Sequence, residues 1–288
     1  MSLVPNPSII DNASLAALIR HGADVLILFT TVNSGNWPKP SIINDNPSLR
    51  IPGSIYFDFE EAVVDKTSPL SKMMPEPSVF EREVRKLGIC NTSTIVVYDD
   101  FGNFCASRVW FMFRNMGFEN VRVLDGGLPL WVAQQHPTTD GCISPASIGD
   151  FTANPSSDFQ FVSNEYVMQN IVSGTLDLLD ARGAKRFSGE EPDPRKQVRA
   201  GHIPKSMNLH YAQLFDKKGC FLSLDEISKL IPYSANGLIF SCGSGVTACI
   251  LAQAAYMVGI SPLYVYDGSW SEWGSREDLP ISTGHKST

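Results

Sequence analysis

The residues Cys242-Gly243-Ser244-Gly245 stand between an apolar run, Leu238-Ile239-Phe240, and a stretch over 246–257 rich in helix formers with apolar residues at three- and four-residue spacings. A cysteine that ends a strand and is followed by glycines and a helix sits where loop N–H groups and the positive helix end converge on one negative charge. Such a place favours the thiolate, and the thiolate is the nucleophilic form of the side chain. Gly243 and Gly245 let the backbone curl tightly enough for successive amides to point inward, and Val246 closes the loop. The plain alternative is a structural cysteine buried beside a tight turn. Ser244 and Thr247 carry hydroxyls that can donate toward the sulfur or a leaving oxygen, and Thr247 equally suits a helix cap.

A second cluster lies upstream. Asp180-Ala181-Arg182 ends a strand and leads into Lys185-Arg186 and on to Glu191-Pro192-Asp193-Pro194-Arg195. An arginine presents a planar fork of donors that matches a carboxylate, so the loop suits a small anion, although most Arg/Glu-rich loops are solvated ion pairs.

The 288 residues suffice for two domains, each with its own core. With 43% hydrophobic and 18% charged residues, the composition is that of a soluble globular chain. A net charge of −7 argues against nucleic acid or an anionic membrane as partner. The first 20 residues lack the pattern of a secretory signal, and the densest apolar run, 109–113, is far too short to span a bilayer. The six cysteines form no C-x-x-C pair, so the expected home is a reducing cytoplasm. The five histidines, His285 included, have no metal-ligand spacing, so no zinc site is expected.

Along the chain, strand and helix patterns alternate. A helix is predicted at 14–20, a strand at 23–32, a turn and strand at 51–58, a helix at 77–87, a strand at 94–98, a helix at 106–116 and a strand at 121–124. Residues 136–161, rich in Pro, Ser, Thr, Asp and Gly, carry no sustained period. A linker over 146–160 therefore divides a first domain, 1–145, from a second, 161–288. The order then returns: helix at 163–172, strand at 176–180, turn at 201–204, strand at 206–209, helix at 224–230 and the run from Leu238. Asp100 to Asp125 and Cys242 to Asp267 are the same distance apart, and Trp131 and Trp273 each follow the aspartate by the same step. The chain reads as a duplicated α/β domain with mostly parallel sheets flanked by helices. Where the second copy has Cys242 the first has Asp100, which cannot act as a sulfur nucleophile, so the first copy is expected to be catalytically silent.

The doubled architecture, Gly201-His202-Ile203-Pro204, the loop Cys242-Gly243-Ser244-Gly245-Val246-Thr247 and the closing Asp267-Gly268-Ser269-Trp270 resemble the two-domain rhodanese-type sulfurtransferases. The loop is similar to that of the mercaptopyruvate-using branch. The thiosulfate-using branch carries cations where this chain has Gly243 and Ser244. The resemblance implies transfer of a sulfane sulfur through a persulfide on Cys242, with Gly243, Gly245 and Val246 cradling it and Arg186 and Arg195 holding the carboxylate and ketone of 3-mercaptopyruvate. It implies pyruvate as product, cyanide or a thiol, such as a reduced thioredoxin-like protein, as acceptor, and no metal or organic cofactor. A monomer or weak dimer is expected. The branch also has a relay histidine before a Met-x-Pro and an acidic residue after a Phe-Asp strand. Here Lys72 replaces the histidine and Glu60 falls near the acidic position. Arg182, Lys185 and Arg199 read as structural, as do Asp180 and His202.

Two rival readings differ in chemistry. A cysteine phosphatase needs an arginine six residues past its cysteine, and position 248 is alanine. A thiosulfate sulfurtransferase or a persulfide-relaying module would use the same thiolate.

Overall fold

Runs of β-branched and aromatic residues that are apolar on both faces belong between two layers of helices. Ile95–Asp99 and Leu238–Ser241 are such runs, and every residue in both is buried. The computed structural model describes residues 8–33 and 39–284. Each of the two strands is central in its own five-stranded sheet. In the first sheet the order is Ile9–Ile10, Val121–Leu124, Ile95–Asp99, Leu26–Thr30, Ser54–Tyr56. In the second it is Phe159–Val162, Leu263–Tyr266, Leu238–Ser241, Asp177–Asp180, Met207–Asn208. Every pairing in both is parallel, and the two orders are the same when strands are matched in chain sequence. The duplication inferred from spacing is thus present strand for strand.

The chain divides into two units: Met1–Lys66 with Pro75–Ser156 and Asp216–Phe221, and Thr67–Met74 with Ser157–Phe215 and Leu222–Thr288. Residues 146–156 of the expected linker are stitched to the first unit. Gly149, Phe151 and Asn154 donate backbone N–H groups to Arg85, Ile89 and Met116, and the Phe151 ring packs on Phe80, Phe113 and Phe118. Phe159 and Gln160, also within it, begin the edge strand Phe159–Val162. A four-residue edge strand holds too little of a two-residue period to stand out from polar surroundings.

Two helices position the loops that matter. Ala106–Asn115 follows the first central strand, and Ala248–Met257 follows the second. Ala248 through Ala255 are all buried, which explains a helix apolar all round and rich in alanine. The helix Leu224–Leu230 begins where Ser223 and Glu226 form a capping box. The two tryptophans of the repeat are buried and do the same work. Trp131 Nε1 donates to the carbonyl of Pro137 at 2.8 Å and Trp273 Nε1 to that of Pro280 at 2.7 Å.

Candidate active site

Ser241 closes the central strand of the second unit, Cys242 opens the loop and the helix begins at Ala248. Gly245 makes the turn with φ 73°, a conformation that strains any side chain with a Cβ. The loop is anchored from the neighbouring turn. Cys242 N–H donates to Ser269 Oγ at 3.1 Å, Trp270 N–H to the Cys242 carbonyl at 3.0 Å, and Ser271 N–H to the Gly243 carbonyl at 2.9 Å. The closing motif of the repeat is therefore a mechanical brace for the Cys242 loop. Cys242 is only 1% exposed. Among the described residues, the amides of Gly243, Ser244, Val246, Thr247 and Ala248 donate to no protein acceptor. Five N–H groups at the start of a ten-residue helix make an electropositive hollow beside the sulfur.

Arg186 and Arg195 both reach this loop. A Cβ on Gly243 would lie 3.6 Å from Arg186 Nη2 and 3.9 Å from Arg195 Nη2, and Arg195 Nη1 donates to the Gly243 carbonyl at 3.1 Å. Asp193 holds the pair. Its Oδ2 accepts from Arg186 Nη2 at 2.7 Å and Arg195 Nη2 at 3.0 Å, and its Oδ1 from Arg195 Nε at 2.7 Å. Burial pushes this carboxyl up, but the hydrogen bonds from the Arg195 side chain and backbone and from Arg186 outweigh it and hold the pKa at about 2. Two guanidiniums against one carboxylate leave a net positive charge beside the cysteine loop. Arg186 Nε is buried without a protein partner, a donor with capacity to spare.

Asp193 is the residue that the sequence reading missed. Its signal was Pro192-Asp193-Pro194: two prolines fix the backbone on either side, and the Asp193 side chain accepts the Arg195 N–H two residues on, as aspartates in turns do. Thr247 stands at the N-cap position without a capping hydrogen bond from its side chain, so capping does not account for it. Ser244 is half-buried, while Gly245 and Val246 are buried. Lys72 belongs to the segment 67–74 of the second unit; it is 9% exposed with φ 68°, unusual for a residue with a side chain. Met74, two residues on, donates its N–H to Asp267 Oδ2. Glu60 lies in the first unit, where its carboxylate accepts the Asn33 N–H at 2.8 Å.

The residues read as structural have structural partners. Arg182 forks onto Asp180, with Nη2 to Oδ2 at 2.7 Å, and lies 4.4 Å from the centre of the Trp270 ring. Arg199 donates to the carbonyls of Gly274, Trp273, Arg276 and Leu279. His202 stacks on Phe187 and bonds to its carbonyl through Nδ1 at 2.8 Å, while burial lowers its pKa. Cys249 is buried with Sγ 3.3 Å from the Gly245 carbonyl, and all six cysteines are free thiols. Among the described residues no three of His, Cys, Asp and Glu gather as metal ligands, and no helix is long and apolar enough to cross a membrane; His285 lies outside the described residues.

At the matching point of the first unit, Asp100 turns to Lys39 Nζ at 2.7 Å and Thr31 Oγ1 at 2.8 Å. The same loop frame thus holds an ion pair in one copy and a thiol in the other.

Comparison with known proteins gives the same division. The rhodanese-like domain family matches residues 47–134 and 163–276. The human protein named 3-mercaptopyruvate sulfurtransferase is 37% identical over 247 residues, 83% of this chain and 82% of that one. The Arabidopsis thaliana protein named thiosulfate/3-mercaptopyruvate sulfurtransferase 1, mitochondrial, is 35% identical over 274 residues, 85% of this chain and 71% of that one. The crystal structure of SseA from Escherichia coli, described with the rhodanese fold and catalytic mechanism of 3-mercaptopyruvate sulfotransferases, superposes with a TM-score of 0.77. It is 31% identical, and the match covers 92% of this chain and 99% of SseA. On its sheet order, its duplicated loops and these matches, the chain belongs to the rhodanese-like domain family and carries that domain twice.

Proposed function

We propose that this chain is a sulfurtransferase that moves the sulfur of 3-mercaptopyruvate, through a persulfide on Cys242, to cyanide or to a thiol such as that of a reduced thioredoxin-like protein. The observation that carries the reading is the convergence of Arg186 and Arg195 on Gly243, next to the cysteine. Mercaptopyruvate has a carboxylate and a ketone for two guanidiniums and a thiol sulfur within reach of Cys242. The Cys242 thiolate attacks that sulfur. As the carbon–sulfur bond breaks, the electron pair passes into an enolate whose oxygen faces the arginines, and guanidiniums fixed in place stabilise such developing charge. The donor's thiol hydrogen ends on carbon to give pyruvate, and the new Cys–S–S⁻ lies against the loop amides, with Ser244 and Thr247 as further donors. An acceptor thiolate then takes the outer sulfur and Cys242 is restored.

The first domain is silent in this scheme, since Asp100 is tied to Lys39 and Thr31. Lys72 supplies positive charge in place of a relay histidine, and Glu60 has no assigned step. Free thiols throughout fit a reducing compartment.

Single-turnover loading of Cys242 with mercaptopyruvate, with thiosulfate and with a protein persulfide tests the reading. Faster loading and cyanide discharge with mercaptopyruvate supports it. Preference for thiosulfate replaces it with a thiosulfate sulfurtransferase, and loading from a protein persulfide alone replaces it with a relay.

A further inference from the structure

The two loops begin with different residues on the strand itself. In the first unit Asp99, fully buried, ends the central strand, and its carboxylate turns into the loop that follows. Oδ1 accepts the N–H groups of Phe101 and Gly102 at 3.0 and 2.9 Å, and Oδ2 those of Phe104, Cys105 and Ala106 at 2.7, 2.7 and 2.9 Å. These five amides match, position for position, the five in the second unit that have no protein acceptor among the described residues. The anion hollow of the first domain is filled by the chain's own carboxylate.

Ser241 takes the place of Asp99 in the second unit, at the end of the same strand and paired to Asp180 as Asp99 is paired to Thr30. A serine side chain is one bond shorter than an aspartate's and ends in a single oxygen, too little to span the loop. Its Oγ is buried without a hydrogen-bond partner. The loops share a left-handed fourth residue, Asn103 at φ 66° and Gly245 at φ 73°, but Gly102 is also left-handed, at φ 87°, where Ser244 is not. The first loop is therefore bent onto Asp99 and the second is not.

We propose that the residue ending the central strand decides whether this loop binds an internal or an external anion, and that Ser241 is the positioning residue that keeps the Cys242 loop open. Its small side chain leaves the amides to the sulfur, while Asp99 closes the first-domain copy independently of the change from cysteine to Asp100. The part concerning Ser241 rests on Cys242 being the sulfur-carrying residue; the part concerning Asp99 stands on the first unit alone.

The test is alkylation by iodoacetamide at pH 7.5, read site by site by peptide mass spectrometry on the full chain, with circular dichroism as the check of folding. Ser241→Asp is expected to slow alkylation of Cys242 by at least about tenfold, because the loop amides turn to the new carboxylate and no longer face the attacking sulfur. Ser241→Ala is expected to stay within about threefold of the parent, since it loses one hydroxyl and keeps the room. Parent-like alkylation in Ser241→Asp, or equal loss in both variants, overturns the proposal. Should Ser241→Asp fail to fold, the first unit decides. In a Cys242→Ser background, the thiol introduced by Asp100→Cys is expected to react at least about tenfold faster when Asp99→Ser is added. Equal rates in the single and double variants overturn the proposal. If these reactivities change as expected while no sulfur donor loads Cys242, the proposed function fails and takes the Ser241 part with it, while the part concerning Asp99 survives.

Discussion

Asp193 and Arg195 meet through two parallel hydrogen bonds, Nε to Oδ1 at 2.7 Å and Nη2 to Oδ2 at 3.0 Å, with the Asp193 side chain only 1% exposed. A fork of this kind fixes the plane of the guanidinium as well as its position. A further Asp193 contact, to Arg186, makes one carboxylate the hinge pin of both guanidiniums. Asp193→Asn keeps the shape but can accept on one oxygen only. The expected result is a KM for mercaptopyruvate raised by roughly tenfold or more, the scale of a lost charge-assisted hydrogen bond, with kcat much less affected. Asp193→Glu should recover part of the loss, and a KM equal to the parent's in the Asn variant would remove Asp193 from the site.

Substitution of the arginines should separate their roles. Arg195 spends its Nη1 on the Gly243 carbonyl, whereas Arg186 has a buried Nε without a partner. Arg186→Lys removes a planar fork and leaves a point charge, so KM for mercaptopyruvate is expected to rise by about tenfold or more while Cys242 stays alkylatable. Arg195→Lys should do the same and also loosen the loop, slowing Cys242 alkylation. Steady-state kinetics beside alkylation rates distinguish the two, and an unchanged KM excludes the arginine concerned.

Gly243 offers a steric test. Its backbone is not in the left-handed region, and an added Cβ meets the two guanidiniums at ordinary contact distance, so Gly243→Ala should fold with unchanged thermal stability. The methyl would nevertheless stand between the loop and both Nη2 atoms, where the proposed mechanism puts the donor's carboxylate. Filling such a space costs about 1–3 kcal/mol, so KM is expected to rise by roughly tenfold. Parent-like kinetics for this variant would mean that the donor enters elsewhere.

Much of this arrangement could be read from residue types in order. Cys242 between an apolar strand and an alanine-rich helix announced the loop, and the equal spacing of Asp100–Asp125 and Cys242–Asp267 announced the repeat that the sheet order bears out. Local pattern carries such information because strand, tight turn and helix are each specified within a few residues. Asp193 and Ser241 were not legible in the same way. What matters about Asp193 is that Arg186, from the short helix Ala184–Ser188, and Arg195, from the loop after it, meet on it, and what matters about Ser241 is what it fails to fill. The edge strands Ile9–Ile10 and Phe159–Val162 escaped for a further reason: they are defined by the ladder they join more than by their own period.

The last expectation concerns Asp125, the first-unit counterpart of Asp267. Burial raises its carboxyl to about 6, with the nearby Asp216 adding to the rise, even though Phe221 N–H and Asn103 Nδ2 donate to Oδ1 and pull it down. The folded chain therefore holds this proton up to about pH 6, while the unfolded chain gives it up near 3.8. Between those two values the native state binds more protons than the unfolded one, so the contribution of Asp125 to stability falls as pH rises and the whole penalty is present above pH 6. At about 1.4 kcal/mol per pH unit the penalty is on the order of 2–3 kcal/mol. Asp125→Asn keeps an Oδ1 for both donors and removes the buried charge. It is expected to raise the melting temperature at pH 7.5 by several degrees, with the advantage shrinking to about a third by pH 4.5. Other carboxyls titrate alike in parent and variant and cancel in the difference. Thermal melts of both proteins at the two pH values measure it, and an advantage that is the same at both would show that the Asp125 charge is not the cause.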